Sequence, residues 1–259
     1  MSKKLALNLA TLYPADLEQK FYAAGAAGFR AVGLLLSDMI REGEAGLMEL
    51  RLSQLAVAEI VGITGWADLD RATRTVALHH AEQAFDLARK VRAAVVVAEA
   101  PSGPLDTLTL ADWFGEVCRV AQPYNVRVGL EFVGSAEQVK DIASAWQVVE
   151  AAGVDNGGLV IDTFHYYRGG SSPEMLELVP GERIFLVQIA DCPEMPKYEL
   201  QNRHRVYPGA GAIAFEPLLA ALYDKNYDGY YSLELYNEDY WAEDPVVVAK
   251  DGIRAMRHL

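Results

Sequence analysis

Apolar positions along the chain fall into two recurring patterns. One is a short run of successive apolar, often β-branched residues; the other is a longer segment with apolar residues near the 3.6-residue helical period. The runs cover 5–10, 31–36, 55–64, 94–98, 126–132, 158–163, 184–190 and 230–235. Several of them, such as AAVVVAEA and RIFLVQIAD, are apolar at successive rather than alternate positions. Strands buried on both faces read this way, and parallel sheets covered by helices produce them. Between the runs, 16–28, 68–90, 135–153 and 215–229 carry the helical spacing. Ser135 followed by Glu137 suits a helix start, and Gly153 and Gly229 fall where C-terminal caps are expected. The segment 42–51 fits either pattern least well. Strand–helix alternation of this kind predicts an α/β fold, and eight units in about 250 residues predict a (β/α)8 TIM barrel. A doubly wound parallel sheet is the rival arrangement. No linker or low-complexity tract divides the chain, so 1–259 reads as one domain.

Composition narrows the functional classes. The chain has 259 residues, 51% of them hydrophobic, which suffices for a large core. Asp and Glu outnumber Lys and Arg by 36 to 23, a net charge of −13. That balance argues against a nucleic-acid surface, which rests on cations meeting phosphates, and against anionic membranes. No stretch reaches the roughly 18 apolar residues of a membrane span. The opening MSKKLALNLATLYPAD is broken by Tyr13-Pro14 and Asp16, and reads as a first strand rather than a signal peptide. Two cysteines, Cys118 and Cys192, make no disulfide framework and fit a reducing, cytoplasmic setting.

In a barrel, side chains at the C-terminal strand ends face the active site. In the second half these are Glu131, Asp162, Gln188 and Glu234, each closing an apolar strand. Taken singly, each suits a polar group bonded to neighbouring backbone. Together, three carboxylates and an amide at one mouth repel without a cation. An all-oxygen set favours Mn(II) or Mg(II) over Co(II) or Zn(II). His165, just past Asp162, suits either a substrate contact or a bond to a loop carbonyl. Arg205 presents a planar fork for a substrate hydroxyl or carboxylate. Asp191 reads as support for a ligand rather than a ligand. Trp66 and Tyr13 suit a pocket wall or plain packing. His79 and His80, adjacent on one helix, read as solvated positions. No Gly-rich loop follows the first strand, so no dinucleotide site is expected.

The four strand-end residues, with DTFHYY, VQIADCP, HRVYPGAGAI and SLELYNEDYW around them, resemble the xylose-isomerase-like TIM-barrel superfamily. It includes sugar isomerases and 3-epimerases, inosose and 3-dehydroshikimate dehydratases and endonuclease-IV-type repair enzymes. The resemblance covers essentially the whole chain and is most specific over 126–241. It implies that Glu131, Asp162, Gln188 and Glu234 bind one divalent metal, and that Glu131 and Glu234 transfer protons. Gln188 and the pattern Arg203-His204…Pro208-Gly209-Ala210-Gly211 look more like the 3-dehydroshikimate dehydratase branch; many sugar epimerases have a histidine at the Gln188 position. Against that branch, GITGWADLD carries no arginine before Arg71, which a carboxylated substrate would use. Five histidines do not supply the histidine-rich centre of the repair enzymes.

The implied chemistry removes a proton beside a metal-held carbonyl to give a metal-bound enediolate. Its return to the same carbon gives epimerisation and to the neighbouring carbon isomerisation, while loss of a β-hydroxyl gives dehydration. The expected activity is isomerisation or epimerisation of an unphosphorylated sugar or polyol ketone. The alternatives are a dehydratase of a cyclic keto-polyol and a non-catalytic sugar-binding barrel. The tail 238–259 suits either a cover over the pocket or a contact in a homo-oligomer.

Overall fold

Each of the eight apolar runs forms a strand in the computed structural model, which describes residues 3–259. The strands are β1 (Lys4–Asn8), β2 (Ala31–Leu35), β3 (Ala56–Ile63), β4 (Val96–Glu99), β5 (Val128–Glu131), β6 (Gly157–Asp162), β7 (Ile184–Ile189) and β8 (Tyr230–Leu233). They pair in parallel in chain order, and β8 returns to β1 to close the barrel. Helices α1 (Leu17–Ala27), α2 (Leu36–Ser53), α3 (Arg71–Val91), α4 (Thr107–Ala121), α5 (Ile142–Ala152), α6 (Thr163–Gly169) and α7 (Phe215–Asp224) follow β1 to β7 in turn. After β8 come α8 (Glu238–Trp241) and α9 (Pro245–Arg257).

The unbroken apolar runs now have a cause. Leu7, Val32, Val57, Val128, Leu159 and Val187 face outward into the core shared with the helices. Val97, Val160, Phe185 and Leu186 form a separate cluster that fills the barrel interior, and Ala6, Ala31 and Ala58 form another. Both faces of each strand are dry, so both are apolar. Among the described residues no helix is long and apolar enough to cross a membrane.

Two expectations about helix ends are corrected. The helix expected from Ser135 begins at Ile142, where Asp141 accepts from Ser144 N and the Ser144 hydroxyl accepts from Asp141 N. That reciprocal cap satisfies two otherwise orphaned donors. Residues 133–141 are thereby left to arch towards α6: a Cβ on Gly134 would lie 2.7 Å from the His165 carbonyl. Gly153 does cap α5, with φ +61°. Gly229 caps nothing, because α7 already ends at Asp224. Its place leaves room for the Tyr227 ring instead. The segment 42–51 is helical, within α2, which kinks at Gly43 (φ +53°, ψ −127°). The tail packs on its own barrel: α9 lies against α1, Tyr240 stacks on Tyr207 at 4.4 Å, and Trp241 Nε1 donates to the Ala10 carbonyl at 3.0 Å.

Candidate metal centre

Strand alternation decides which side chains enter the barrel mouth. Leu130, Ile161, Val187 and Leu233 pack outward, so Glu131, Asp162, Gln188 and Glu234, each one position on, turn inward. All four are buried. Oxygens of Glu131, Asp162 and Glu234 lie within 4.8 Å of one another. Gln188 completes the group. Its Nε2 donates to Glu59 Oε2 at 3.0 Å and Glu234 Oε1 at 3.2 Å, while its Oε1 is buried with no hydrogen-bond partner. Buried polar atoms are nearly always satisfied. An orphaned amide oxygen beside three clustered carboxylates is therefore a donor set that fits a hard divalent cation.

The electrostatics agree. Burial pushes the Glu131 carboxyl well above the usual carboxylate range, and repulsion from Glu234 and Asp162 adds to it. Burial also raises Glu234, although the neighbouring Arg205 works the other way. At Asp162 burial again acts upward, but the Arg205 guanidinium, with Nη1 at 2.5 Å from Oδ2, outweighs it and holds the group below its usual value. The other Asp162 oxygen accepts the His165 backbone N–H at 2.8 Å, so the same carboxylate also caps α6. One arginine thus neutralises one carboxylate. The other two ionise together only with further positive charge at the centre.

Arg205 stands on this cavity, but its fork is engaged before any substrate arrives. Nη1 bonds Asp162 and lies 3.5 Å from Glu234 Oε2, and the group sits over the Phe164 ring at 4.7 Å. Asp191 does not touch Gln188 through its side chain. Its carboxylate collects the backbone N–H groups of Cys192, Gly209, Gly211 and Ile213, and its backbone bridges to Val206. Asp191 therefore pins the loop that delivers Arg205. His165 is buried and held neutral: burial lowers its pKa to about 4. Its Nδ1 accepts from Gly134 N at 3.3 Å, and its Nε2 lies 3.4 Å from Arg205 Nη2 and 4.0 Å from Glu131 Oε1.

A cavity of about 530 Å³ opens over Glu131 and Glu234; Asp162 and Gln188 do not form part of its lining. Leu35, Leu36, Ile40, Val61, Val97 and Tyr236 give it an apolar wall. Trp66, expected there, is absent from that wall. It is 2% exposed, packs edge-on against Phe114 and donates from Nε1 to the Glu99 carbonyl at 2.7 Å. Thr64, just after β3, lines the cavity, while the Trp66 indole packs away from it against α4. Tyr13 also lies off the wall, against Trp241 at 5.3 Å. His79 pairs with Glu82 on the surface, whereas His80, exposed as expected, reaches the cavity rim.

The family model described as xylose isomerase-like TIM barrel matches residues 21–259. The chain belongs to that family. It is similar to the inosose isomerase of Halalkalibacterium halodurans, with 39% identity over 140 residues, 52% of this chain and 50% of that protein. It is also similar to the 3-dehydroshikimate dehydratase of Pseudomonas aeruginosa, with 30% identity over 254 residues, 94% of this chain and 40% of that protein. The chain spans about half the length of the inosose isomerases it matches. Its fold matches the crystal structure of the IOLI protein with a bound zinc atom, at TM-score 0.90 and 23% identity over 98% of this chain and 96% of that one.

This xylose isomerase-like barrel carries further polar residues in the site that its sequence pattern had not singled out. Glu99 lines the cavity and closes AAVVVAEA as the other strand-end residues close theirs, a signal open to the same reasoning. Asn8 ends β1 and reaches both Glu59 and Glu234. Glu59 is wholly buried inside β3, a lone carboxylate in AVAEIVGI.

Proposed function

We propose that the protein is a divalent-metal-dependent isomerase or epimerase acting on an unphosphorylated sugar or polyol ketone. The observation that carries this reading is the oxygen donor set, with the orphaned Gln188 Oε1, two of whose members, Glu131 and Glu234, line a cavity of about 530 Å³. Glu131, Asp162, Gln188 and Glu234 would hold the ion, Mn(II) ahead of Mg(II), Co(II) and Zn(II) on the chemistry of an all-oxygen set. The bound ion supplies polarisation of a carbonyl and a counter-charge to the negative charge that develops beside it. Glu131, which no hydrogen-bond donor reaches among the described residues, takes a proton from the carbon next to the carbonyl. Glu234 is steadied by Asn8 and Gln188 and lies near Arg205; it returns a proton. His165, on the cavity lining, contacts a substrate oxygen.

The cavity's charges favour a neutral substrate. Arg205 is bound to Asp162, and Arg41 at the rim is paired with Asp38 and Glu42, both at 3.0 Å. Each guanidinium already has an acidic partner, although Arg205 Nε has no acceptor. The buried free thiols of Cys118 and Cys192 accord with a reducing, cytoplasmic setting.

A metal-dependent dehydratase of a cyclic keto-polyol is the second reading, favoured by the similarity to 3-dehydroshikimate dehydratase across 94% of the chain. One screen separates the two. Mn(II)-loaded protein is offered inososes, ketohexoses, ketopentoses and 3-dehydroshikimate in deuterated water. Deuterium entering a sugar or inosose carbon without loss of water supports the first reading. A rise in near-UV absorbance with 3-dehydroshikimate supports the second. Neither signal, with Mn(II) bound, leaves only a sugar-binding barrel.

A further inference from the structure

The buried Glu59 lies too deep to reach the cavity, yet its hydrogen bonds close a ring beneath the metal centre. Asn8 Nδ2 donates to Glu59 Oε1 at 3.0 Å and to Glu234 Oε1 at 2.8 Å. Gln188 Nε2 donates to Glu59 Oε2 at 3.0 Å and to the same Glu234 Oε1 at 3.2 Å. Ser232 Oγ adds a third donor to Glu59, at 2.6 Å. Two amides therefore bridge two carboxylates, and every N–H in the ring points at a carboxylate oxygen.

This ring dictates which way the Gln188 amide faces. Turned by 180°, the amide would place Oε1 against Glu59 Oε2 and Glu234 Oε1, oxygen against oxygen in a dry interior, and lose both hydrogen bonds. Such a flip is opposed by two carboxylates at once. The observed orientation leaves Oε1 as the free end, and that is the atom without a partner. The backbone is built to admit the carboxylate. The register of β2 on β3 shifts between Val32 and Gly33, which brings Gly33 opposite Glu59. A Cβ at position 33 would collide with the Glu59 carboxylate.

We infer that Glu59 is a positioning residue which, by fixing the Gln188 amide, aims Oε1 at the metal and sets how tightly the ion is held. The inference rests on Gln188 being a ligand, as in the proposed function. Replacing Glu59 by Gln puts an N–H₂ where one of its two acceptor oxygens stood, and Asn8 Oδ1 is already committed to Ala10 N. One amide of the ring must then turn its oxygen toward it, and Gln188 has only its ligand oxygen to give.

The test is a double-mutant cycle on Mn(II) binding, read from the electron paramagnetic resonance signal of the free ion, with no substrate present. Glu59→Gln should weaken Mn(II) binding by about 10- to 100-fold, the range for residues that orient a ligand. In a Gln188→Ala background the same change should cost nothing further. An equal loss in both backgrounds overturns the inference, because Glu59 then acts through its charge or through Asn8. Wild-type affinity in Glu59→Gln overturns it too. If Gln188→Ala alone binds Mn(II) normally, the ligand assignment fails and the inference with it. If Gln188→Ala weakens binding while Glu59→Gln does not, only the inference fails. Should Glu59→Gln not fold, Glu59→Asp, whose shorter side chain draws the carboxylate away from Gln188, has the same expected outcomes.

Discussion

The two halves of the barrel meet at one cavity and contribute opposite things to it. β5 to β8 end in Glu131, Asp162, Gln188 and Glu234, with Arg205 laid across Asp162 from the loop after β7. β2 to β4 bring Leu35, Leu36, Val61 and Val97, an apolar wall with Glu99 as its main charge. Ser37, Arg41, Thr64 and His80 also line the cavity from the first half, while Asn8 and Glu59 face the floor and tie themselves to the second half. Charge is thus concentrated on one side of the mouth. A substrate lies between an ion-binding side that does chemistry and a dry side that selects shape and excludes water.

The largest expected effect tests that division directly. Glu131→Gln and Glu234→Gln keep size and burial but remove the proton acceptor, so kcat should fall by roughly 10²- to 10⁴-fold with the fold intact by circular dichroism. Glu99→Gln, on the wall side, should change KM more than kcat. Near-wild-type turnover in either of the first two variants removes that residue from proton transfer. A collapse of kcat in Glu99→Gln moves the chemistry across the mouth.

Buried ion pairs give the next contrast. Arg205 with Asp162 and Lys20 with Asp38 are both almost fully buried, the latter at 2.7 Å. Arg205→Met leaves a buried carboxylate uncompensated and should cost about 3–5 kcal/mol in metal-free protein. Lys20→Met should cost less, because Arg41 stays 3.0 Å from Asp38. Mn(II) stabilises every variant that binds it, by about 2.7 kcal/mol at a hundredfold excess over Kd. At one fixed concentration the gain should be larger in Arg205→Met, whose Asp162 is left unpaired, than in Lys20→Met. Chemical denaturation with and without the ion reads both. Equal recovery in the two variants would mean that the ion is not held beside Asp162.

How legible these residues are in the sequence follows from strand geometry. Glu131, Asp162, Gln188 and Glu234 obey simple alternation from their outward-facing neighbours, so an apolar run that stops on a polar residue points to each. Glu59 breaks the rule. Val57 packs outward, and alternation would send Glu59 the same way; the register shift opposite Gly33 turns it inward. No count along the sequence contains that shift. Trp66 misleads for another reason: a large aromatic after a strand suggests a rim, while its indole packs on Phe114 and bonds the Glu99 carbonyl. Ser135 offers a fair N-cap, but Asp141 with Ser144 offers a reciprocal one, and the stronger cap sets the helix start.

The pH dependence of metal stabilisation should separate the halves again. In metal-free protein the folded-state values of Glu131 and Glu234 are raised, chiefly by burial. Above the unfolded-state carboxylate range, the folded protein then binds more protons than the unfolded chain, so its stability declines as pH rises through the raised values. A bound cation displaces those protons. The gain in stability from Mn(II) should therefore grow as pH rises above the ordinary carboxylate range, by about 1.4 kcal/mol per unit while one proton is displaced. Thermal melts with Mn(II) or with chelator measure it. A gain that is flat with pH would show the carboxylates already ionised without the ion.

The smallest effects lie within the first half and distinguish its wall from its core. Trp66 lies off the cavity, and its indole N–H holds the Glu99 carbonyl at 2.7 Å. Trp66→Phe keeps most of the aromatic packing on Phe114 and removes that bond, at a cost of about 1 kcal/mol. For a chain of this size the melting temperature should drop by about 2–4 °C. KM should stay within a factor of two, since no cavity surface changes. Ile40 is the converse: it lines the cavity yet is 53% exposed. Ile40→Ala should leave the melting temperature nearly unchanged, as surface truncations do, and raise KM by about two- to fivefold through lost apolar contact of about 1 kcal/mol. If Trp66→Phe moves KM and Ile40→Ala does not, the selective surface lies around Trp66, and the wall described here is only the outside of the barrel.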